Sequence, residues 1–292
     1  MGSVLASLIG LVLVGAPAPA GDPVHVRIGF PATLFRDIPR NTIESLMPTY
    51  TQLIQNQTGL RGQPVLLNGA VEVTQQLADN KIQLGVFHGF EFAWAKQKHE
   101  DLKPLVMAVY QQPKLTAQVI VAKDNPARNL EDLKGQAMAV PRGTREHCRL
   151  FLNRTCRRIG HRQEKFFGSL TSPPTVAAAL DDVAAGRSTA VVVDGSAWES
   201  YKWVNPGRAA RLRPLVQSEA FPSGVIAYKN GILPASELKR YEDGLTSAHQ
   251  RPDGMQLMLL WRMSRFEPVP ADYDQMLANI AKAYPPPIGE EP

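Results

Sequence analysis

The sequence predicts an α/β protein made of two similar strand–helix sets, each a mainly parallel sheet flanked by helices, with a cleft between them. Three observations lead there. Apolar, β-branched runs at 24–30, 63–67 and 82–87 alternate with segments of helical spacing. A second alternation of the same kind runs from Ala137 to Val193. Two extended stretches, 110–116 and 215–222, fall where the chain passes from one set to the other and back, so they read as hinges. The lobes are then expected at 22–113 with 218–292, and at 114–217.

The elements follow from local chemistry. Residues 24–30 (Val-His-Val-Arg-Ile-Gly-Phe) form a strand, and the loop beyond its carboxyl end carries Thr33. Asn41 or Thr42 can cap a helix in which Ile43, Leu46, Tyr50, Leu53 and Ile54 share a face, and Gly59 stops it. Strand 63–67, helix 69–79 and strand 82–87 come next, and the third strand feeds His88-Gly89-Phe90 at the start of a helix. Strands at 105–110 and 117–122 flank the first crossing. In the second set a short strand at 137–140 ends at Pro141. Arg142-Gly143-Thr144 then leads into a helix starting near Arg145. Residues 165–167 suggest a short strand, 168–174 a loop, 176–185 an Ala-rich helix, and 189–193 a strand ending at Asp194. Segments 212–216 and 224–229 are extended, and helices close the chain at 236–248, 254–263 and 271–284.

Composition bounds the class. The 292 residues are 44% hydrophobic and 20% charged, which excludes a disordered chain. The first twenty residues hold no charge, and an apolar run ends in Ala18-Pro19-Ala20, so a signal peptide over 1–20 is expected, with a soluble, exported mature protein. Net charge is +5, which suits an anionic ligand without requiring one. Eight Lys/Arg and two acids fall between Arg142 and Lys165, but the aromatic pair Phe166 and Phe167 follows this cluster instead of sitting among it, and an exported chain does not meet nucleic acid, so no nucleic-acid partner is expected. Cys148 and Cys156, eight apart on one helix, would sit about 12 Å apart, beyond bridging distance. Free thiols are expected. The spacing of His147, Cys148, Cys156 and His161 is not zinc-like, so neither metal nor cofactor is expected. No catalytic signature occurs.

In open α/β sheets ligands bind at the carboxyl ends of the strands. The candidates there are Thr33, His88, Gly89 and Phe90 in the first lobe. In the second they are Arg142, Gly143, Thr144, Arg145, Ser169, Thr171 and Asp194. The 142–145 loop presents free N–H groups at a helix start, and an arginine fork grips an oxyanion. Glu146 reads as a partner of the helix dipole, and His147 as a surface or packing residue.

Several motifs carry a resemblance. Gly85-Val-Phe-His-Gly-Phe-Glu-Phe-Ala-Trp-Ala95, Asn129-Leu-Glu-Asp-Leu-Lys-Gly135, the segment 176–194 with Gly186 inside it, Phe221-Pro-Ser-Gly-Val-Ile226, Leu233-Pro234, Phe266-Glu-Pro-Val269 and Tyr273 are similar to framework segments of phosphate/phosphonate-type solute-binding proteins of ABC importers. The resemblance covers almost the whole mature chain. It implies the type II periplasmic binding protein fold and a monomer that delivers a small anion to a membrane permease. A ligand sensor for a membrane signalling partner, or an enzyme using Cys148, would keep the same fold. At the ligand motif the chain departs from the family: a Ser-Thr-Ser-Gly run is replaced by Arg142-Gly-Thr-Arg-Glu-His147, Phe90 stands for a proline, and Gly168-Ser-Leu-Thr171 lacks the family's histidine.

Overall fold

The computed structural model describes residues 25–36, 38–110, 114–261 and 263–286. The expected signal peptide lies outside them. Strand β1 (His25–Pro31) ends in a 3-10 turn, Ala32–Phe35, and is followed by α1 (Arg40–Thr58), β2 (Arg61–Leu67), α2 (Ala70–Ala78), β3 (Leu84–Phe87), α3 (Gly89–Lys98), β4 (Leu102–Val109) and the short β5 (Lys114–Leu115). The second sheet and its helices are β6 (Ala117–Ala122), β7 (Ala137–Ala139), α4 (Glu146–Arg158), α5 (Gln163–Phe166), β8 (Ser169–Thr171), α6 (Val176–Ala184), β9 (Ala190–Asp194), α7 (Gly195–Val204), α8 (Pro206–Ala209) and β10 (Leu212–Gln217). The return is made by β11 (Phe221–Pro222), β12 (Val225–Lys229), α9 (Ala235–Thr246), α10 (Pro252–Leu260), β13 (Arg265–Glu267) and α11 (Tyr273–Ala283).

Two sheets result, of order β13-β4-β12-β3-β1-β2 and β10-β6-β9-β7-β8. Most strands in each run the same way, towards the cleft. The exceptions in the interior are β12 and β6, each antiparallel to both of its neighbours. The reason is their place in the chain: each is the first strand after a crossing, so it enters its sheet from the cleft and runs away from it. The crossings themselves pair, β11 against β5, as a two-stranded antiparallel ribbon. One apolar cluster runs through this ribbon, joining Phe87 and Phe90 to Leu115, Phe221, Val119 and Cys148. A second fills the far face of the six-stranded sheet under α1, α9 and α10, around Phe30, Tyr50, Ile226 and Phe266.

Local differences from the sequence reading have physical causes. The first cap is Pro39, not Asn41 or Thr42, because its extended φ/ψ launches α1 one residue before Asn41. Residues 165–167 do not form a strand. Arg162 starts the single turn α5, which buries Phe166 against Phe167 and His161. Residues 169–171 form the edge strand β8, in parallel register with β7. Phe266 lies in β13, a strand the sequence reading left out, paired to β4.

Candidate functional site

The cleft between the sheets holds a cavity of about 260 Å³, walled from both sides. On the first side, the β1 exit contributes Thr33 and Arg36, and the β3 exit contributes His88, Gly89 and Phe90. His88 is extended (φ −65°, ψ 148°) at the N-cap of α3, and its N–H donates to Glu91 at 3.2 Å. Its ring stacks on Phe90, with planes 3° apart. Gly89 is required by the ribbon: a Cβ there would stand 2.2 Å from the Pro222 carbonyl oxygen and 2.6 Å from that of Ser223. On the second side, Gly143 turns with φ +70°, and the Thr144 hydroxyl donates to the Pro141 carbonyl at 2.6 Å. Arg145 then becomes the N-cap of α4. The amino ends of α3 and α4, where the first N–H groups have no intrahelical acceptor, therefore face one cavity.

Charge is concentrated at this end. The Arg145 guanidinium lies 3.9 Å from the centre of the Tyr110 ring, across the cleft, and 4.0 Å from Asp194. Its Nη1 is buried without a hydrogen-bond partner, and so is His88 Nε2. Arg36 grips both oxygens of Glu146 across the cleft, one contact being 2.9 Å. Counting Arg36, Arg145 and Arg149 against Glu146 and Asp194 leaves one formal positive charge. Burial, reinforced by His147, Arg145 and Arg36, pushes His88 down to about 3, so it is a neutral imidazole at pH 7. Burial pushes the Glu91 carboxyl up to about 8, against the weaker pull of the His88 N–H. Among the described residues, the charged ones that line this end are Arg36, Arg145 and Glu146, so the end carries a net charge of one positive unit.

Behind the wall, Asp194 caps α7, accepting from the Ser196 N–H at 2.8 Å, and its other oxygen lies 3.1 Å from His147 Nε2. Burial would raise this carboxyl, but His147 and Arg145 outweigh it and hold it well below the usual carboxylate range. Cys148 Sγ lies 3.4 Å from the same His147 nitrogen. A relay needs the thiol and the carboxylate on different ring nitrogens, so this trio does not make a nucleophilic triad. Burial also pushes the Cys148 thiol up, away from the reactive thiolate. Among the described residues, His147, Cys148 and Asp194 are the group that could hold a metal ion, with ligating atoms within 4.8 Å of one another. Asp194 instead serves as a helix cap and as the partner of His147. Both cysteines are free and buried.

Seven of the expected contact residues line the cavity: Thr33, His88, Gly89, Phe90, Gly143, Thr144 and Arg145. Arg142 is exposed and outside it, because the left-handed turn at Gly143 sends the two arginines in different directions. Ser169 and Thr171 are exposed on the edge strand β8. Thr171 borders a second hollow of about 500 Å³, with Arg149, Arg154 and Arg157. Asp194 sits behind the wall rather than in it. The cavity is also lined by Arg36, Tyr110, Glu146, His147, Trp261 and Met263, which the sequence reading did not name as contacts. Arg36 follows a strand's carboxyl end and was findable by that rule. Glu146 is a cross-cleft partner rather than a solvated residue, its side chain 13% exposed.

A family model described as ABC transporter, phosphonate, periplasmic substrate-binding protein matches residues 38–273. A protein from Xanthomonas citri, solved bound to ATP, superposes with TM-score 0.60 at 14% identity, over 89% of this chain and 96% of that one. A binding-protein component of a phosphonate ABC transporter from Pseudomonas aeruginosa gives 0.56 at 14% identity, over 89% and 86%. A Prochlorococcus marinus protein in complex with methylphosphonate gives 0.55 at 13% identity, over 90% and 98%. At these identities the likeness establishes the two-lobed fold. Comparison with curated protein sequences finds no match.

Proposed function

The chain belongs to the periplasmic phosphonate substrate-binding family of ABC transporters, and from that premise we propose that it captures a small oxyanion of the phosphonate type between its lobes and presents the closed form to an importer permease. The carrying observation is the convergence of two helix amino ends on one cavity in which Arg145 Nη1 and His88 Nε2 are buried and unpartnered. An oxyanion supplies acceptors for both and favours the dipole ends of α3 and α4. Arg145 comes from one lobe and His88 from the other, so a ligand between them selects closure. The reading includes cleavage behind Ala20, a soluble monomer in the periplasm, no nucleic-acid partner and no catalytic turnover. Among the described residues no helix is long and apolar enough to cross a membrane.

Isothermal titration with methylphosphonate, phosphate and sulfate tests this. At least one should bind, and Arg145→Ala should weaken it by roughly 10- to 100-fold, as expected for losing a charge-assisted contact. No binding by any of the three, or unchanged affinity in a folded Arg145→Ala, refutes it.

A further inference from the structure

The cavity has two chemically distinct ends. Beyond the charged end its wall is apolar, formed by Val86, Ala108, Ile226, Trp261, Met263 and Phe266, with the Trp261 indole N–H buried without a hydrogen-bond partner. Val86, Ala108, Ile226 and Phe266 share one sheet face, and Trp261 and Met263 pack against it from the segment before β13. Val86 pairs with Ile226 across β3 and β12, and Phe266 pairs with Ala108 across β13 and β4. All six belong to or pack on the apolar cluster of that face. The cavity thus passes from the cleft around the end of the sheet into a lobe's own core.

Its volume of about 260 Å³ exceeds what a phosphonate head needs. An apolar cavity of roughly 150 Å³ already accepts benzene. The carbon end also holds no carboxylate free to pair with a cation, and the ring faces of Trp261 and Phe266 offer an ammonium less than the hydration it would lose. Among the described residues the one carboxylate in the lining is Glu146, and Arg36 occupies both of its oxygens. Glu91 borders the second hollow instead. An ammonium-bearing substituent would therefore lose its water and gain only ring-face contact, with no counter-charge, which is a net cost. A hydrocarbon substituent loses nothing and buries its surface.

Resting on the oxyanion reading above, we infer that the ligand is an organic phosphonate, or a similar oxyanion, carrying a single uncharged apolar substituent of about benzene size. The head lies between Arg145 and His88, and the substituent lies against Trp261, Met263 and Phe266. Specificity then resides at the end of the cavity furthest from the charge.

The test compares methylphosphonate, phenylphosphonate and 2-aminoethylphosphonate by titration against the full chain. Phenylphosphonate should bind roughly 10- to 100-fold more tightly than methylphosphonate, the gain expected for burying an aromatic ring. The aminoethyl compound should bind no better than the methyl one. Ala108→Val, which adds carbon to the annex, should bring the phenyl-to-methyl affinity ratio close to one. A cooperative thermal melt reports that this variant is folded, and the wild-type series decides the matter should the variant not fold. Equal or weaker binding of phenylphosphonate, or a preference for the aminoethyl compound, overturns the inference and leaves the oxyanion reading standing. Failure of all three to bind, together with failure of phosphate and sulfate, overturns both.

Discussion

Replacing Glu91 by Gln tests whether the amino end of α3 is kept uncharged. Glu91 is buried, and burial pushes its carboxyl from 4.5 up to about 8. Between those values the folded carboxyl keeps a proton that the unfolded chain has released, so stability falls as pH rises through the window and levels off above it. Each tenfold difference in proton affinity is worth ~1.4 kcal/mol, which makes the cost to the folded state on the order of 3 kcal/mol at pH 7. His88 contributes the opposite slope. Its folded value of about 3 lies below the usual 6.5, so its contribution is lost as pH falls through that range. The two nearly cancel between 4.5 and 6.5, and stability should decline on either side. Glutamine keeps the shape, stays neutral, and can still accept from the His88 N–H. Glu91→Gln should therefore melt roughly 5–10 °C above the wild type at pH 8 and about level with it at pH 5. Anion affinity in the wild type should also drop above pH 8, where Glu91 ionises beside the site, and in the variant it should not. Thermal melts from pH 4 to 9 with parallel titrations read both. A wild-type melting temperature that is flat from pH 6.5 to 8, or a variant less stable than the wild type at pH 8, refutes the buried neutral carboxyl.

Glu146→Gln removes the Arg36 pair across the cleft. With Arg36 45% exposed, the loss should be modest, about two- to fivefold in ligand affinity, with a larger radius of gyration of the ligand-free protein in X-ray scattering. Thiol titration should find two reactive cysteines per chain in guanidinium and slow reaction of both in the native state, since Cys148 and Cys156 are free and buried. Gly89→Ala should lower stability by more than about 2 kcal/mol in denaturant melts, because the new methyl meets the Pro222 carbonyl and neither the ribbon nor α3 can retreat without losing packing.

The two-lobed frame was legible because it is written in local periodicity. Runs such as 82–87, followed by His88-Gly89, announce a strand feeding a helix, and carboxyl ends of strands point to a cleft. What escaped depends on partners distant in sequence. Arg36 and Glu146 are 110 residues apart, and nothing near either one signals the other. His147 reads as a packing histidine until Asp194 arrives from another strand. Arg142 and Arg145 look equivalent in the sequence, but the left-handed turn at Gly143 separates them, one towards solvent and one into the cavity. Trp261 and Met263 follow α10, far along the chain, and reach the cavity only because β13 returns to the edge of the first sheet.

Under the proposed function, closure and ligand recognition would fall to the same atoms, and the cleft would signal its occupancy through them. In this conformation Arg145 Nη1 and His88 Nε2 are buried without a hydrogen-bond partner, which on that reading is a cost that closure brings. Each orphaned group costs about 1–3 kcal/mol relative to a hydrated one. The Arg36–Glu146 pair and the Arg145–Tyr110 contact favour closure whether or not a ligand is present, so they set the baseline rather than the response. A ligand oxygen placed between Arg145 and His88 removes the penalty for both groups at once, and only in the closed form. The differential binding energy available is therefore of the order of the two penalties together, roughly 2–6 kcal/mol, enough to shift a two-state population by about 30-fold or more. Arg145→Ala removes the orphaned donor and the Tyr110 contact together, two effects of opposite sign on closure, so it should weaken the anion strongly while moving the ligand-free balance between open and closed forms little.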